Sequence, residues 1–177
     1  MKKIIAFGAS NNSTSINQQL AKWAASQVEG VEINLLDLND YEMPIYSMDR
    51  EKAGDIPEEA VKFRKLVDET DGIIISFAEY NGSYSSAFKN IFDWISRISK
   101  PIWADKPMFL MGTSPGGRGA RTVLETAVNA FPRQGGNVVA SFSLPAFRDN
   151  FSGEDGIISE EFRGQFESEL AKFSESV

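Results

Sequence analysis

Three short stretches carry the residue types that could do chemistry. Gly8-Ala9-Ser10-Asn11-Asn12-Ser13-Thr14-Ser15 is small and hydroxyl-rich and runs into Ile16 and Asn17. Phe77-Ala78-Glu79-Tyr80-Asn81-Gly82-Ser83 is polar, aromatic and glycine-containing. Thr113-Ser114-Pro115-Gly116-Gly117-Arg118-Gly119 is rich in glycine. Hydroxyls and unpaired N–H groups at a helix start bind phosphate through hydrogen bonds and the helix dipole. A polar aromatic turn suits backbone contact with a flat ring. Glycines allow a backbone to come close to a ligand.

What the chain lacks narrows that chemistry. Its 177 residues contain no His and no Cys. Disulfides, thiol nucleophiles, the usual N/S zinc sites and a Ser-His-Asp triad are therefore excluded. Acid/base work at neutral pH falls to a carboxylate, Lys or Tyr. Such a chain either binds without chemistry or takes its chemistry from a cofactor. The third stretch has the glycine spacing of a nucleotide-hydrolase phosphate loop at Gly112 and Gly117. Arg118 stands where Lys is needed, however, and Gly119 where Ser or Thr would bind magnesium, so that reading fails. The net charge of -7 argues against a nucleic-acid surface. No run is long enough to span a membrane. Met1-Lys2-Lys3 resembles the basic start of an export signal, but only Ile4-Ile5-Ala6-Phe7 follows, which fits a first strand better. A cytoplasmic protein is expected.

The elements that must position these stretches alternate in type. Lys2 to Phe7 reads as a strand. Ile16, Leu20, Trp23, Ala24 and Val28 recur at helical spacing, giving a helix from near Ser15 that Ser13, Thr14 or Ser15 caps and Gly30 ends. Val31 to Leu38 alternates, with Val31, Ile33 and Leu35 against Glu32, Asn34 and Leu36, and reads as a second strand. Asn39 to Pro57 reads as a long irregular segment carrying Tyr41, Met43, Ile45, Tyr46 and Met48. A helix over Glu58 to Thr70, a strand over Gly72 to Phe77 and a helix over Tyr84 to Arg97 follow. Beyond them come a strand over Pro107 to Gly112, a helix over Ala120 to Phe131 and a strand over Asn137 to Leu144. A loop over Phe147 to Gly156 leads to a terminal helix from Ser159 to Phe173.

Strands alternating with helices predict one α/β domain over residues 1–177. It is a doubly wound three-layer sandwich of flavodoxin-like type, with a five-stranded parallel sheet in order 2-1-3-4-5. In that order strands 1, 3 and 4 are neighbours, and the sheet reverses direction of winding between strands 1 and 3. The three stretches then converge on one crevice at the carboxyl ends of the strands. We expect Ser10, Asn12, Ser15, Asn17 and the Ile16 backbone to hold a phosphate, although helix capping alone would also place such residues there. The Asn81 and Gly82 backbone would meet the polar edge of a flavin ring, with Tyr80 packed against ring or ribityl atoms. Taken by itself, Asn-Gly also makes an ordinary surface turn. Arg118 either meets the phosphate of a nicotinamide cofactor or is a solvated charge. The helix over Tyr84 to Arg97 carries a broad apolar face of Phe88, Ile91, Phe92, Trp94, Ile95 and Ile98. That face suggests an oligomer, unless the Asn39 to Pro57 segment covers it.

The motifs together resemble those of the NADPH-dependent FMN reductases, a flavodoxin-like family that includes chromate, quinone and azo-dye reductases. Ser10 to Asn17 is similar to the family's phosphate loop, Gly-Ser-x-Arg followed by Ser-x-Asn. Glu79-Tyr80-Asn81-Gly82-Ser83, with Phe88-Lys89-Asn90 and Asp93-Trp94, is similar to Pro-Glu-Tyr-Asn-Gly-Ser, then Leu-Lys-Asn and Asp-Trp. Ser114-Pro115-Gly116-Gly117-Arg118-Gly119 is similar to the third loop. The resemblance implies FMN as cofactor and NADPH or NADH as hydride donor. It further implies hydride passage through flavin N5 to a small acceptor, which is a quinone, an azo compound, chromate or free flavin. It implies a homodimer or homotetramer, and it extends the cofactor site to Glu79, Ser114, Pro115, Gly116 and Gly117, with no catalytic side chain. Glu79 is also read as an anchor of its turn. Asn12 replaces the family's Arg, removing a charged contact on the order of 1.5–3 kcal/mol. Ala9 replaces Gly and Ala78 replaces Pro. The reading from another class is a flavin-binding electron carrier or regulator without turnover. Gly116 and Gly117 speak against it, because they leave room for a second ring above the first.

Overall fold

A computed structural model describes residues 1–54 and 56–177; Asp55, inside the expected loop, lies outside the described residues. Five parallel strands make the sheet: β1 (Lys2–Ala9), β2 (Val31–Leu35), β3 (Gly72–Phe77), β4 (Lys106–Thr113) and β5 (Gly136–Leu144), in the order β2-β1-β3-β4-β5. The order is the expected one. β1 pairs with β3 from Ile4 opposite Gly72 to Ala9 opposite Phe77, and β3 pairs with β4 up to Phe77 opposite Gly112. Ile73, Ile74, Ile75 and Phe77 are fully buried because helices cover both faces of a central parallel strand.

On one face lie α1 (Ile16–Ser26) and α7 (Glu160–Ser176), packed on Ile4, Ile74 and Phe109 through Leu20, Phe166 and Phe173. On the other lie α3 (Glu58–Glu69), α4 (Ser86–Ile95) and α5 (Arg121–Ala130), packed through Phe63, Phe88 and Val123. Ser15, Ser85 and Ser159 cap α1, α4 and α7 by accepting from the N–H groups of Gln18, Phe88 and Phe162.

Three expectations need correction. The second strand runs Val31–Leu35 and stops short of Leu38, which opens a 3₁₀ turn. Ile33 and Leu35 are exposed, and Leu36, just past the strand end, is the buried one. β2 is an edge strand paired only with β1, so alternation alone could not say which face is covered. The Asn39 to Pro57 segment is not irregular throughout. A 3₁₀ turn spans Leu38–Tyr41, and α2 spans Met48–Ala53 behind the Ser47 cap. The Phe147 to Gly156 stretch is a helical turn, α6 (Phe147–Asn150), and a two-stranded hairpin, β6 (Phe151–Ser152) with β7 (Gly156–Ile157). Phe147 stacks on Phe151 with centroids 4.7 Å apart, the i,i+4 contact of a helical turn.

The broad face of α4 is covered within the chain. Phe92 and Trp94 are 8% and 1% exposed. Trp103 stacks on Phe92, Phe131 packs against it at a tilt, and Tyr46 meets Trp94 edge-on at 5.1 Å. Asn90 accepts from the Tyr46 N–H (2.8 Å) and donates to the Met43 and Pro44 carbonyls, while Trp94 Nε1 donates to Pro44 O (2.7 Å). Glu51 of α2 joins Arg97 and accepts from the Tyr46 hydroxyl, and this contact raises the tyrosine pKa and lowers that of the carboxylate. These bonds fasten the segment down, so the width of the face gives no argument for an oligomer.

Candidate functional site

The chain leaves β1 at Ala9 and enters α1 through a tight loop. Gly8 makes the close approach possible: a Cβ there would stand 2.7 Å from Gln18 Cα and 2.8 Å from Asn17 C, both backbone atoms. The Gly8 N–H donates to Gln18 Oε1 (2.6 Å), and Gln18 Nε2 donates to Leu36 O (2.9 Å), which pulls the helix start onto the sheet. Ser10 Oγ accepts from the Asn12 N–H, and Asn12 Oδ1 accepts from the N–H and hydroxyl of Thr14. The loop is thus a pair of side-chain-closed turns. Ser10 and Ser15 are each 6% exposed, and each hydroxyl accepts one internal bond. Among the described residues, no acceptor takes either hydroxyl proton or the N–H groups of Ile16 and Asn17. Four donors are left at the positive end of an eleven-residue helix with no acidic residue in its first turn.

Asn17 sits differently from the other loop residues. Its side chain is 2% exposed and turned into the sheet. Oδ1 accepts from the Ser76 hydroxyl (2.7 Å) and the Thr113 N–H (3.0 Å), and Nδ2 donates to Thr113 O (3.1 Å). One amide therefore ties α1 to the ends of β3 and β4. What Asn17 presents to the crevice is its backbone. Ser85 adds a further tie by donating to Ala9 O (2.7 Å). Residue order assigns neither Ser76 nor Thr113 this role at the site. Their signal was a polar residue inside or ending an otherwise apolar central strand.

On the other side, Tyr80 and Ser83 exchange two backbone bonds of 3.0 Å. Asn81 and Gly82 between them both have positive φ, 53° and 72°, the geometry of a tight hairpin turn that favours Asn-Gly. Their N–H groups take no internal acceptor among the described residues. Tyr80 is 51% exposed. Glu79 accepts from the Val123 N–H (2.8 Å) at the start of α5, so its carboxylate anchors the turn to a helix N-terminus. Tyr84, just beyond, is pushed up to about 12 by burial among Phe77, Phe88 and Phe92.

The third loop is pinned at its base and open at its tip. Thr113 Oγ1 donates to Leu144 O, the Phe147 N–H to Ser114 O, and the Ala146 N–H to Gly116 O. Ser114 Oγ donates to Gly116 O (3.1 Å), and Pro115 is exposed beside it. No atom lies within 4 Å of where a Cβ would stand on Gly116 or Gly117. Arg118 is exposed and donates to Thr122 Oγ1 (2.8 Å). Gly119 has positive φ (58°), and a Cβ there would be 2.9 Å from Pro145 N. Among the described residues no cluster of acidic side chains could hold a metal ion, and no helix is long and apolar enough to cross a membrane.

Residues 2–149 match the family model described as NADPH-dependent FMN reductase. The chain belongs to that family. Over 124 residues it is 32% identical to an NADPH:quinone oxidoreductase of Arabidopsis thaliana, covering 68% of this chain and 62% of that one. Over 119 residues it is 34% identical to a 2-hydroxy-1,4-benzoquinone reductase of a Burkholderia species, covering 66% and 63%. The chain therefore spans less than two thirds of the length of these curated relatives. Among solved structures, the flavoenzyme NAD(P)H:(acceptor) oxidoreductase FerB of Paracoccus denitrificans superposes with a TM-score of 0.77 at 25% identity, covering 99% of this chain and 96% of that one. The flavodoxin-like fold agrees.

Against the family motif, the departures have local consequences here. Ala9 is fully buried, and Ala78 is nearly so. Asn12, where the family has Arg, closes the turn onto Thr14 instead of offering a charge. The residues present fit FMN: four free donors at the start of α1 suit a phosphate, two free N–H groups stand at the Asn81-Gly82 turn, and the Gly116-Gly117 tip leaves space.

Proposed function

We propose that the protein is an FMN-dependent NAD(P)H oxidoreductase acting on a small acceptor of the quinone class. The observation that carries this reading is two sets of free donors in the loops that leave the carboxyl ends of the paired strands β1 and β3. At one end are the hydroxyls of Ser10 and Ser15 with the N–H groups of Ile16 and Asn17. At the other are the N–H groups of Asn81 and Gly82. The first group holds a phosphate against the dipole of α1. The second meets the polar edge of a ring and fixes its orientation. The flavin, when bound, supplies the redox chemistry, hydride transfer from a nicotinamide to the acceptor by way of N5. The protein's part is positioning. Glu79 is held by the Val123 N–H and serves as an anchor for the turn. The open tip at Gly116 and Gly117 admits a second planar group beside the first. The relatives named for quinones support the acceptor class.

The test is spectroscopic. Purified protein should carry or take up FMN with a flavin absorption band, and NADPH added without oxygen should bleach it, with 1,4-benzoquinone restoring the colour. A colourless protein that takes up no FMN overturns the cofactor assignment. A yellow protein that NADPH leaves yellow points to an electron carrier.

A further inference from the structure

Asn81 is the chain's only asparagine followed by glycine. An asparagine side-chain carbonyl carbon and the next backbone nitrogen can close a five-membered ring, and a following glycine leaves that nitrogen without a side chain to shield it. A fold holds this reaction off by tying down either partner. Here neither is tied. Asn81 and Gly82 are both exposed, at the tip of the turn that Tyr80 and Ser83 close. Among the described residues the Asn81 side chain makes no hydrogen bond and the Gly82 N–H has no acceptor. A Cβ built on Gly82 would meet only Thr122 Cγ2, at an ordinary 3.8 Å, so the glycine is not boxed in. Rotation of the unbonded side chain and of the bond between Asn81 Cα and C brings Cγ onto the Gly82 nitrogen. Asn12 makes the contrast. It too is exposed and is followed by the small Ser13, but its Oδ1 accepts from the N–H and hydroxyl of Thr14 (3.0 and 3.1 Å). It must break both bonds to turn toward the Ser13 nitrogen.

We propose that Asn81 is a deamidation site and that occupancy of the crevice sets its rate. The Gly82 nitrogen gives its proton to water and bonds to Asn81 Cγ, and the Cγ–Nδ2 bond breaks with loss of ammonia. Water then opens the cyclic imide. Attack at Cγ leaves aspartate in an unaltered chain. Attack at the Asn81 backbone carbonyl leaves isoaspartate, with the chain rerouted through Cβ and Cγ. Either product puts a carboxylate beside the two N–H groups that the ring's polar edge would use, and isoaspartate also lengthens a two-residue turn. A flavin that accepts from the Gly82 N–H takes the nucleophile away, so the resident ring protects its own platform. That protection rests on the FMN reading above; the reaction of the free chain does not.

The full chain is held in warm, mildly alkaline buffer with and without FMN, sampled over days, and mapped by peptide mass and by isoaspartyl methyl transfer. In the free chain Asn81 should convert at least about tenfold faster than Asn12, which has two hydrogen bonds to break first. Aspartate and isoaspartate should both be recovered. With FMN at about 100 times its Kd only about a hundredth of the chain is free, and conversion should slow at least about tenfold. Converted protein, separated by its added charge, should bind FMN about tenfold or more weakly in a fluorescence titration. Asn81→Asp supplies the aspartate product directly, and its affinity should fall between those of the untreated and the isoaspartate-bearing chains. Conversion at Asn81 no faster than at Asn12 overturns the site. Conversion unslowed in a chain whose flavin band shows it loaded overturns the protection and leaves the cofactor assignment standing. A chain that converts at Asn81 but takes up no FMN overturns the cofactor assignment and leaves the site standing.

Discussion

At the α1 end of the crevice the side chains are committed inside the protein, whereas at the Asn81-Gly82 and Gly116-Gly117 end they are few, exposed or absent. Asn17, Gln18 and Ser85 close bonds between α1, β1, β3 and β4, and Gly8 lets two backbones touch. At the ring end, Tyr80 is half exposed, and Gly116 and Gly117 have empty space where a side chain would stand. The first end is a rigid donor array that needs no cation to organise it. The second, on the proposed function, is a platform left open for partners that must come and go. A site that holds one ligand firmly and exchanges others benefits from that division, because ordering is already complete where the resident group binds.

The sharpest way to break the contrast is Asn17→Ala. It strands the Ser76 hydroxyl and the Thr113 N–H and carbonyl in the interior, so the fold should lose about 3–4 kcal/mol by thermal or urea unfolding, and FMN uptake should fall with it. Were stability unchanged, the amide would not be the tie between the strand ends. Gly8→Ala comes next. Its Cβ meets the α1 backbone, which cannot turn aside as a flexible side chain would, and the cost should lie near the top of about 1–3 kcal/mol.

Asn12→Arg tests the donor array from the other direction. The substitution adds a charge and removes the turn onto Thr14. We expect FMN to bind about three- to tenfold more tightly in a fluorescence titration, a net gain smaller than a full charged contact because the turn is lost. Weaker binding would mean that loop order counts for more than charge. The smallest expected effect on the fold is Gly117→Ala. With open space around it and no positive φ, stability should shift by no more than about 0.5 kcal/mol and FMN affinity should hold. Only the KM for the nicotinamide or the acceptor should rise. A loss of FMN affinity would show that the tip touches the resident ring, and that the two ends are less distinct than their contacts suggest.

Much of the framework was legible in residue order. The apolar run Gly72 to Phe77 is a strand over the expected span, and alternation of strands with helices implies the parallel sheet, whose observed order is the expected 2-1-3-4-5. Ser15 caps α1 as its type and position imply. Less was legible where long-range contacts decide. Asn17 belongs to a phosphate-loop pattern, yet its amide faces Ser76 and Thr113, 59 and 96 residues away in the chain. Asn90 reads only as part of a family motif, and Trp94 as part of that motif and of an apolar helix face. In three dimensions they hold the Met43 to Tyr46 backbone, which is why the apolar face of α4 is covered.

Residue order alone carried the five sheet strands and the long helices between them, the three loops, the absence of a side chain suited to thiol or imidazole chemistry, and the match to a redox family. These depend on short-range properties: periodicity, capping types and turn residues act within a few residues of each other. Tertiary structure decided which polar groups remain free for a ligand. A hydroxyl or amide is available only if no distant strand end has already taken it. That outcome depends on strand register and helix docking, and only the folded chain fixes those.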